Sequence, residues 1–419
     1  MSDFQHGPGS DASAHSPSAG NAEAPDQVWG AQTALVRGGI DRTHFQETSE
    51  ALFLTSGYVF DSAEAAEASF NGEVERFVYS RYGNPTVAAF QEKLRLIEGA
   101  EACFATASGM SAVFTALGAL LAAGDRVVAS RSLFGSCFVV LNEILPRWGV
   151  ETVFVDGHDL AQWERALATP ATAVFFESPS NPLQELVDIR AVVQLAHDAG
   201  AQVVVDNVFA TPLLQRATEL GADVVVYSGT KHMDGQGRVL GGAVLGRKDF
   251  IDGPVRNLMR HTGPALSPFN AWTLLKGLET MKLRVDYSVA SALKIAGWLE
   301  DQPGVSRVIY PFLESHPQYD LARSQLSGGG TVVTFELDPG RGPAKEAAFR
   351  LLNGLRLVDI SNNLGDAKSL ITHPATTTHR AMGPQGRAAI GLGDGVVRLS
   401  VGLETTDDLL RDLDAALGN

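Results

Sequence analysis

Between about Thr86 and Lys282 the chain carries five short β-branched runs: DRVVAS (125–130), ETVFVD (151–156), TAVFFE (172–177), QVVVDN (202–207) and DVVVYS (223–228). Helix-length segments separate most of them, for example Met110 to Ala123 and Asp188 to Ala199. A strand that is apolar on nearly every residue has to be covered on both faces, and strand–helix–strand crossovers cover it through parallel pairing. The pattern predicts an α/β fold with a mostly parallel central sheet. In such sheets ligands collect beyond the carboxyl ends of the strands, so chemistry is expected there.

At 419 residues there is room for two or three domains, with cores that need neither disulfides nor a structural metal. Residues 1–30 are rich in Ser, Ala, Gly and Pro without an apolar period, and read as a disordered tail. Residues 31–80, with a short helix near Ser62 to Phe70, look too thin for a core of their own. They read as an arm lying on something else, a neighbouring subunit being the candidate. Residues 81–282 form the large domain. A long amphipathic helix from about Asn270 to Leu299 is expected to link it to a smaller C-terminal α/β domain, 283–419. There GTVVTFEL and VVRLSVGL read as strands, and PAKEAAFRLLNGL and TDDLLRDLDAAL as helices.

Composition narrows the function classes. Thirty-three Lys and Arg against 48 Asp and Glu give a net charge of −15, which disfavours a general attraction to nucleic acid or anionic membrane. Two cysteines, Cys103 and Cys137, exclude a disulfide framework and a Cys-rich zinc module, and no metal is expected. No apolar run reaches the roughly 18 residues of a membrane span, and the start lacks the pattern of a secretory signal. A cytoplasmic protein is expected. GQGR (235–238) is not a dinucleotide loop, because Leu240 takes the place of the last glycine and the segment precedes a strand.

Five pieces end strands or open helices in the large domain. In ASGM (107–110) the amides of Gly109 and Met110 at a helix start suit an anion, and Ser108 adds a hydroxyl; a plain turn with a serine cap is the other reading. Asp206 closes QVVVD, where a carboxylate needs a cationic or donor partner unless it merely caps a loop. SGTKH (228–232) offers the hydroxyls of Ser228 and Thr230 and the amine of Lys231, a residue that alone would be surface. Asn181 in SPSNP (178–182) is a side-chain donor or part of a proline turn. Phe134 in SLFG (132–135) is a ring at the ligand face or core packing. Together they describe one ligand. A phosphate takes the hydroxyls and helix amides, an aldehyde takes the lysine as a Schiff base, a protonated ring nitrogen takes the aspartate, and an aromatic covers the ring. That ligand is pyridoxal 5′-phosphate.

With these pieces, YSRYGNPT, VVDNVFATP, NLGDAKSLITHPATTTH and VRLSVGLE make the chain resemble the Cys/Met-metabolism PLP-dependent enzymes, in order and over nearly everything after residue 50. The resemblance implies a fold-type I, aspartate aminotransferase-like architecture and a homotetramer of two dimers. It assigns Tyr79 and Arg81 to the phosphate of the neighbouring subunit. It assigns Arg398 to the substrate α-carboxylate, Asn181 to the cofactor ring oxygen and that carboxylate, and Asn363 to the same side.

Two positions depart from the family pattern. Phe134 stands where many members have a tyrosine that stacks on the ring and moves a proton, so that role falls to Lys231, Tyr79 or water. Ser136 stands where methionine γ-lyases have a cysteine, with Cys137 one position off register. An ester carboxylate leaves without an acid's help, so the resemblance implies γ-replacement on O-succinyl-L-homoserine by sulfide. The products expected are L-homocysteine and succinate, in methionine biosynthesis. Cystathionine γ-synthase or γ-lyase activity, the acetyl ester, or a non-catalytic binding protein of the same fold are the alternatives.

Overall fold

The five β-branched runs form strands, and they do so in the positions their apolar pattern predicts. The computed structural model describes residues 29–418. The tail expected over 1–30 lies outside the described residues except for Trp29 and Gly30. Seven strands, β1 (Ala102–Thr106), β2 (Arg126–Ser130), β3 (Glu151–Val155), β4 (Ala173–Glu177), β5 (Gln202–Asp206), β6 (Val224–Ser228) and β7 (Gly242–Gly246), make one sheet in the order β1-β7-β6-β5-β4-β2-β3. From β6 to β3 every pairing is parallel. Both faces are covered, as the sequence requires: Val203 and Val205 pack into one apolar cluster and Val204 into the other.

Strand β7 breaks the parallel rule, running antiparallel to both β1 and β6. The reason is local. Turns rather than a crossover helix join Ser228 to Gly242, so the chain returns beside the strand it left.

Five further strands, β8 (Val305–Ile309), β9 (Val332–Leu337), β10 (Asp359–Ile360), β11 (Leu370–Thr372) and β12 (Val396–Ser400), form a second sheet in the order β10-β11-β12-β9-β8. Its apolar face packs on the helices Met281–Glu300, Ala344–Gly354 and Thr406–Leu417.

The long linking helix is two helices, Pro268–Glu279 and Met281–Glu300, with Thr280 between them at φ −106°, ψ 2°. The amphipathic period runs through the junction, so sequence alone did not mark it. The stop comes from a tertiary contact: Arg284 donates to the carbonyl of Gly277 at 2.8 Å and to that of His232 at 2.9 Å. A Cβ at Gly277 would lie 2.1 Å from the Met233 carbonyl oxygen, so only glycine admits this approach. The division expected at 282/283 therefore falls inside the first turn of a helix.

The arm lies partly on its own chain. Ala34 and Leu35 enter a core cluster of the large sheet, and Glu50 is buried against Lys93, 3.4 Å away, and Lys276. Farther on, Leu54, Val59, Phe70 and Val74 are exposed. Among the described residues no helix is long and apolar enough to cross a membrane.

Candidate active site

Beyond the carboxyl ends of β4, β5 and β6 lies a cavity of about 240 Å³, closed on its far side by the second sheet. Ser108, Gly109, Met110, Phe134, Asn181, Asp206, Ser228, Thr230, Lys231 and Arg398 all line it. Nine of these ten sit at loops, strand ends or a helix start; Arg398 lies within a strand.

One wall is built for an anion. Ser108 caps the helix Gly109–Leu120, its Oγ accepting the Ser111 amide at 3.1 Å. The amides of Gly109 and Met110 precede the first intrahelical bonds, and the helix dipole adds positive potential. Gly109 is needed here: a Cβ would stand 2.6 Å from that of Ser228. The Thr230 hydroxyl accepts the Gly241 amide at 3.2 Å.

Next to it two acids lie side by side, Glu177 buried and Asp206 half-buried. Glu177 and Asp206 are register partners on β4 and β5. With the Cys137 thiol they bring one atom each within 4.8 Å of one another. Burial pushes Asp206 up to about 7, against a single opposing amide, that of Val208. Burial and the Asp206 charge push Glu177 well above the usual carboxylate range. No ion pair reaches either acid among the described residues.

Lys231 stands in the turn after β6, and its amine donates to Asn363 Oδ1 at 2.6 Å. Burial, then the charge of Arg398, lowers it to about 8. Arg398 projects from β12, the middle strand of the second sheet, and is 1 % exposed. Its guanidinium donates to Asn181 Oδ1 at 2.9 Å and to the carbonyls of Asn362 and Asn363 at 2.8 and 3.2 Å. Among the described residues its Nε has no partner and no carboxylate meets it, and burial lowers it to about 10. A lone strand arginine reads as surface charge by default; this one is core.

The cavity thus holds uncompensated acid at one end, uncompensated guanidinium at another, an amine between them, and hydroxyls with helix amides alongside. These donors fit pyridoxal 5′-phosphate: its ring N–H answers the acids, its aldehyde the amine, its phosphate the helix start. Tyr79 and Arg81 are not part of this cavity. The Arg81 guanidinium packs on the rings of Tyr79 and Tyr82 and donates to the Arg260 carbonyl. Asn363 meets Lys231 with its side chain and Arg398 with its carbonyl, while its neighbour Asn362 lines the cavity. Tyr227 also lines it, yet its hydroxyl is engaged by Glu98 and by Asn207 at 2.6 Å. No phenol of this wall is free to move protons, in keeping with Phe134. Ser136 faces a separate groove.

Sequence reasoning missed Glu177 and His379. Glu177 closes TAVFFE as Asp206 closes QVVVD, so the same rule applied to β4 would have found it. His379 carried no such signal: its ring donates from Nε2 to the Asn181 carbonyl at 3.0 Å across 198 residues of sequence.

A family model described as Cys/Met metabolism PLP-dependent enzyme matches residues 32–418. The chain is 71% identical over 393 residues to an O-succinylhomoserine sulfhydrylase of Mycobacterium tuberculosis, covering 94% of this chain and 97% of that one. It is 51% identical to an O-succinylhomoserine sulfhydrylase of Pseudomonas aeruginosa, covering 91% and 93%. Among solved structures, a putative O-acetylhomoserine (thiol)-lyase of Campylobacter jejuni superposes with a TM-score of 0.89 at 31% identity, covering 93% of this chain and all of that one.

Proposed function

The chain belongs to the Cys/Met-metabolism PLP-dependent enzymes, and from that premise we propose that it converts O-succinyl-L-homoserine and sulfide to L-homocysteine and succinate, a γ-replacement of methionine biosynthesis. The sulfhydrylase relatives support the choice of reaction. The observation that carries the reading is the cavity's charge pattern: a lowered amine, Lys231, between two cation-free acids and an anion-free guanidinium.

When bound, pyridoxal 5′-phosphate supplies an aldehyde carbon and an electron-withdrawing ring that takes up negative charge from the substrate Cα. Asp206 would hold the proton on the ring nitrogen. Ser108, Gly109, Met110, Ser228 and Thr230 would hold the phosphate. Arg398 and Asn181 bind the substrate α-carboxylate, with Asn363 beside them, and so fix which Cα bond faces Lys231. Lys231 would carry the cofactor at rest; its freed amine would take the Cα proton and then one from Cβ so that succinate can leave Cγ, and would return a proton to each carbon once sulfide has added there. Phe134 would cover the ring and has no proton to donate, which succinate, leaving as a carboxylate, does not need. Sulfide forms its bond to Cγ where the ester oxygen departs.

The same reading makes residues 81–282 and 283–419 the two domains and 31–80 the intersubunit arm of a cytoplasmic homotetramer. Tyr79 and Arg81 serve the neighbouring subunit's phosphate, and Tyr79 also serves its proton transfers. In support, both lie away from the cavity of their own chain while their rings and guanidinium stay together.

The test supplies the succinyl or acetyl ester with sulfide or cysteine and identifies products by mass. Homocysteine from the succinyl ester and sulfide is the expected dominant product; cystathionine in its place, or 2-oxobutanoate from methionine, would overturn the choice. Borohydride reduction and peptide mapping should find the cofactor on Lys231.

A further inference from the structure

Glu177 is 5 % exposed, and both of its oxygens are in use. Oε1 accepts the Phe134 amide at 2.6 Å and Oε2 the Asn181 amide at 3.2 Å. These amides belong to different loops, one after β2 and one after β4, and both residues line the cavity. Asn181 is fixed at two further points, its carbonyl by His379 at 3.0 Å and its Oδ1 by Arg398 at 2.9 Å. Its Nδ2 alone has no partner among the described residues, so that is the group it offers the cavity. A carboxyl is suited to such a junction because both of its oxygens accept, whether or not one of them also carries a proton. A glutamine there presents one acceptor and one donor, and the donor opposes one of the two amides.

We infer that Glu177 is a positioning residue: by binding the amides of Phe134 and Asn181 with one carboxyl, it sets the width of the slot between the ring that covers the cofactor and the amide that meets it. The inference rests on reading the cavity as the cofactor site. It adds a second effect, since the Glu177 carboxyl also backs Asp206 in the sheet register.

The test compares wild-type holoenzyme with Glu177→Gln by cofactor dissociation constant, by the visible circular dichroism of the cofactor band, and by kcat and KM taken separately. A buried amide left without an acceptor predicts cofactor affinity lower by about tenfold or more. The dichroism weakens as the ring loses its fixed setting, and kcat falls more than KM rises. Glu177→Asp keeps two accepting oxygens on a shorter stem and recovers part of each loss. A melting temperature that drops while affinity and dichroism stay at wild-type values would overturn the inference, leaving Glu177 a loop staple only. Should Glu177→Gln fail to fold, hydrogen exchange on the wild-type protein decides. The amides of Phe134 and Asn181 should be slow in the holoenzyme and be released together when cofactor is withdrawn, and unrelated exchange would overturn the inference. Wild-type protein with no cofactor band and no borohydride adduct on Lys231 would overturn the cofactor reading itself, and this inference with it.

Discussion

At the carboxyl edge of the seven-stranded sheet two acids, buried Glu177 and half-buried Asp206, meet no cation among the described residues, whereas the middle of the five-stranded sheet buries Arg398 with no acid among them. Each arrangement is costly alone, because removing a charge from water is repaid only by a partner. The two charges do not meet each other. Asn181 stands next to both, its amide on Glu177 and its Oδ1 on Arg398, and keeps them on opposite sides of the ligand space. On the proposed reading the large lobe is prepared for a positive heterocycle and the small lobe for a negative carboxylate, so that one cavity would serve a cofactor and an amino acid at once.

Variants that remove one charge at a time would break this division of labour if it is wrong. Arg398→Met should reduce kcat/KM about a thousandfold, mostly through KM, while cofactor absorbance and affinity stay near wild type. Loss of the cofactor band in that variant would mean the small lobe holds more than substrate. Asp206→Asn should do the reverse: weaker cofactor retention on dialysis and a fall of about a hundredfold in kcat. The comparison sharpens further with pH. The Lys231 amine, lowered from 10.5 to about 8, is roughly a tenth neutral at pH 7, and only the neutral form attacks an aldehyde. Cofactor capture by the apoprotein should therefore rise about tenfold per pH unit below 8 and level off above it; stopped-flow absorbance reads this directly, and a rise continuing past pH 10 would return the amine to an ordinary lysine. The smallest effect is expected for Phe134→Tyr, about two- to threefold on turnover of the succinyl ester. A larger gain, measured as succinate release, would show that this reaction is limited by the missing acid.

Much of the large lobe was legible because its information is local. Continuous apolar strands, each closed by a polar residue, place Asp206, Ser228 and Lys231 at one edge before any tertiary contact is known. Arg398 was not legible by the same logic, because a charge in an alternating strand looks solvent-facing until the partner strands β9 and β11 are seen to flank it. The roles of Tyr79, Arg81, Asn363 and Arg398 came from family resemblance and not from pattern. The break at Thr280 escaped for a related reason: helix propensity and period continue through it, and the stop is imposed by a guanidinium from the following turn.

That guanidinium reaches farther than the helix it interrupts. Arg284 sits on the first turn of the small lobe's long helix, yet one of its bonds ends on the carbonyl of His232, the residue after Lys231. Any swing of the C-terminal lobe would tug the residue adjoining Lys231, the proposed attachment point of the cofactor. The colour of the bound vitamin would then act as a built-in gauge of lobe posture, readable in a spectrophotometer without a label.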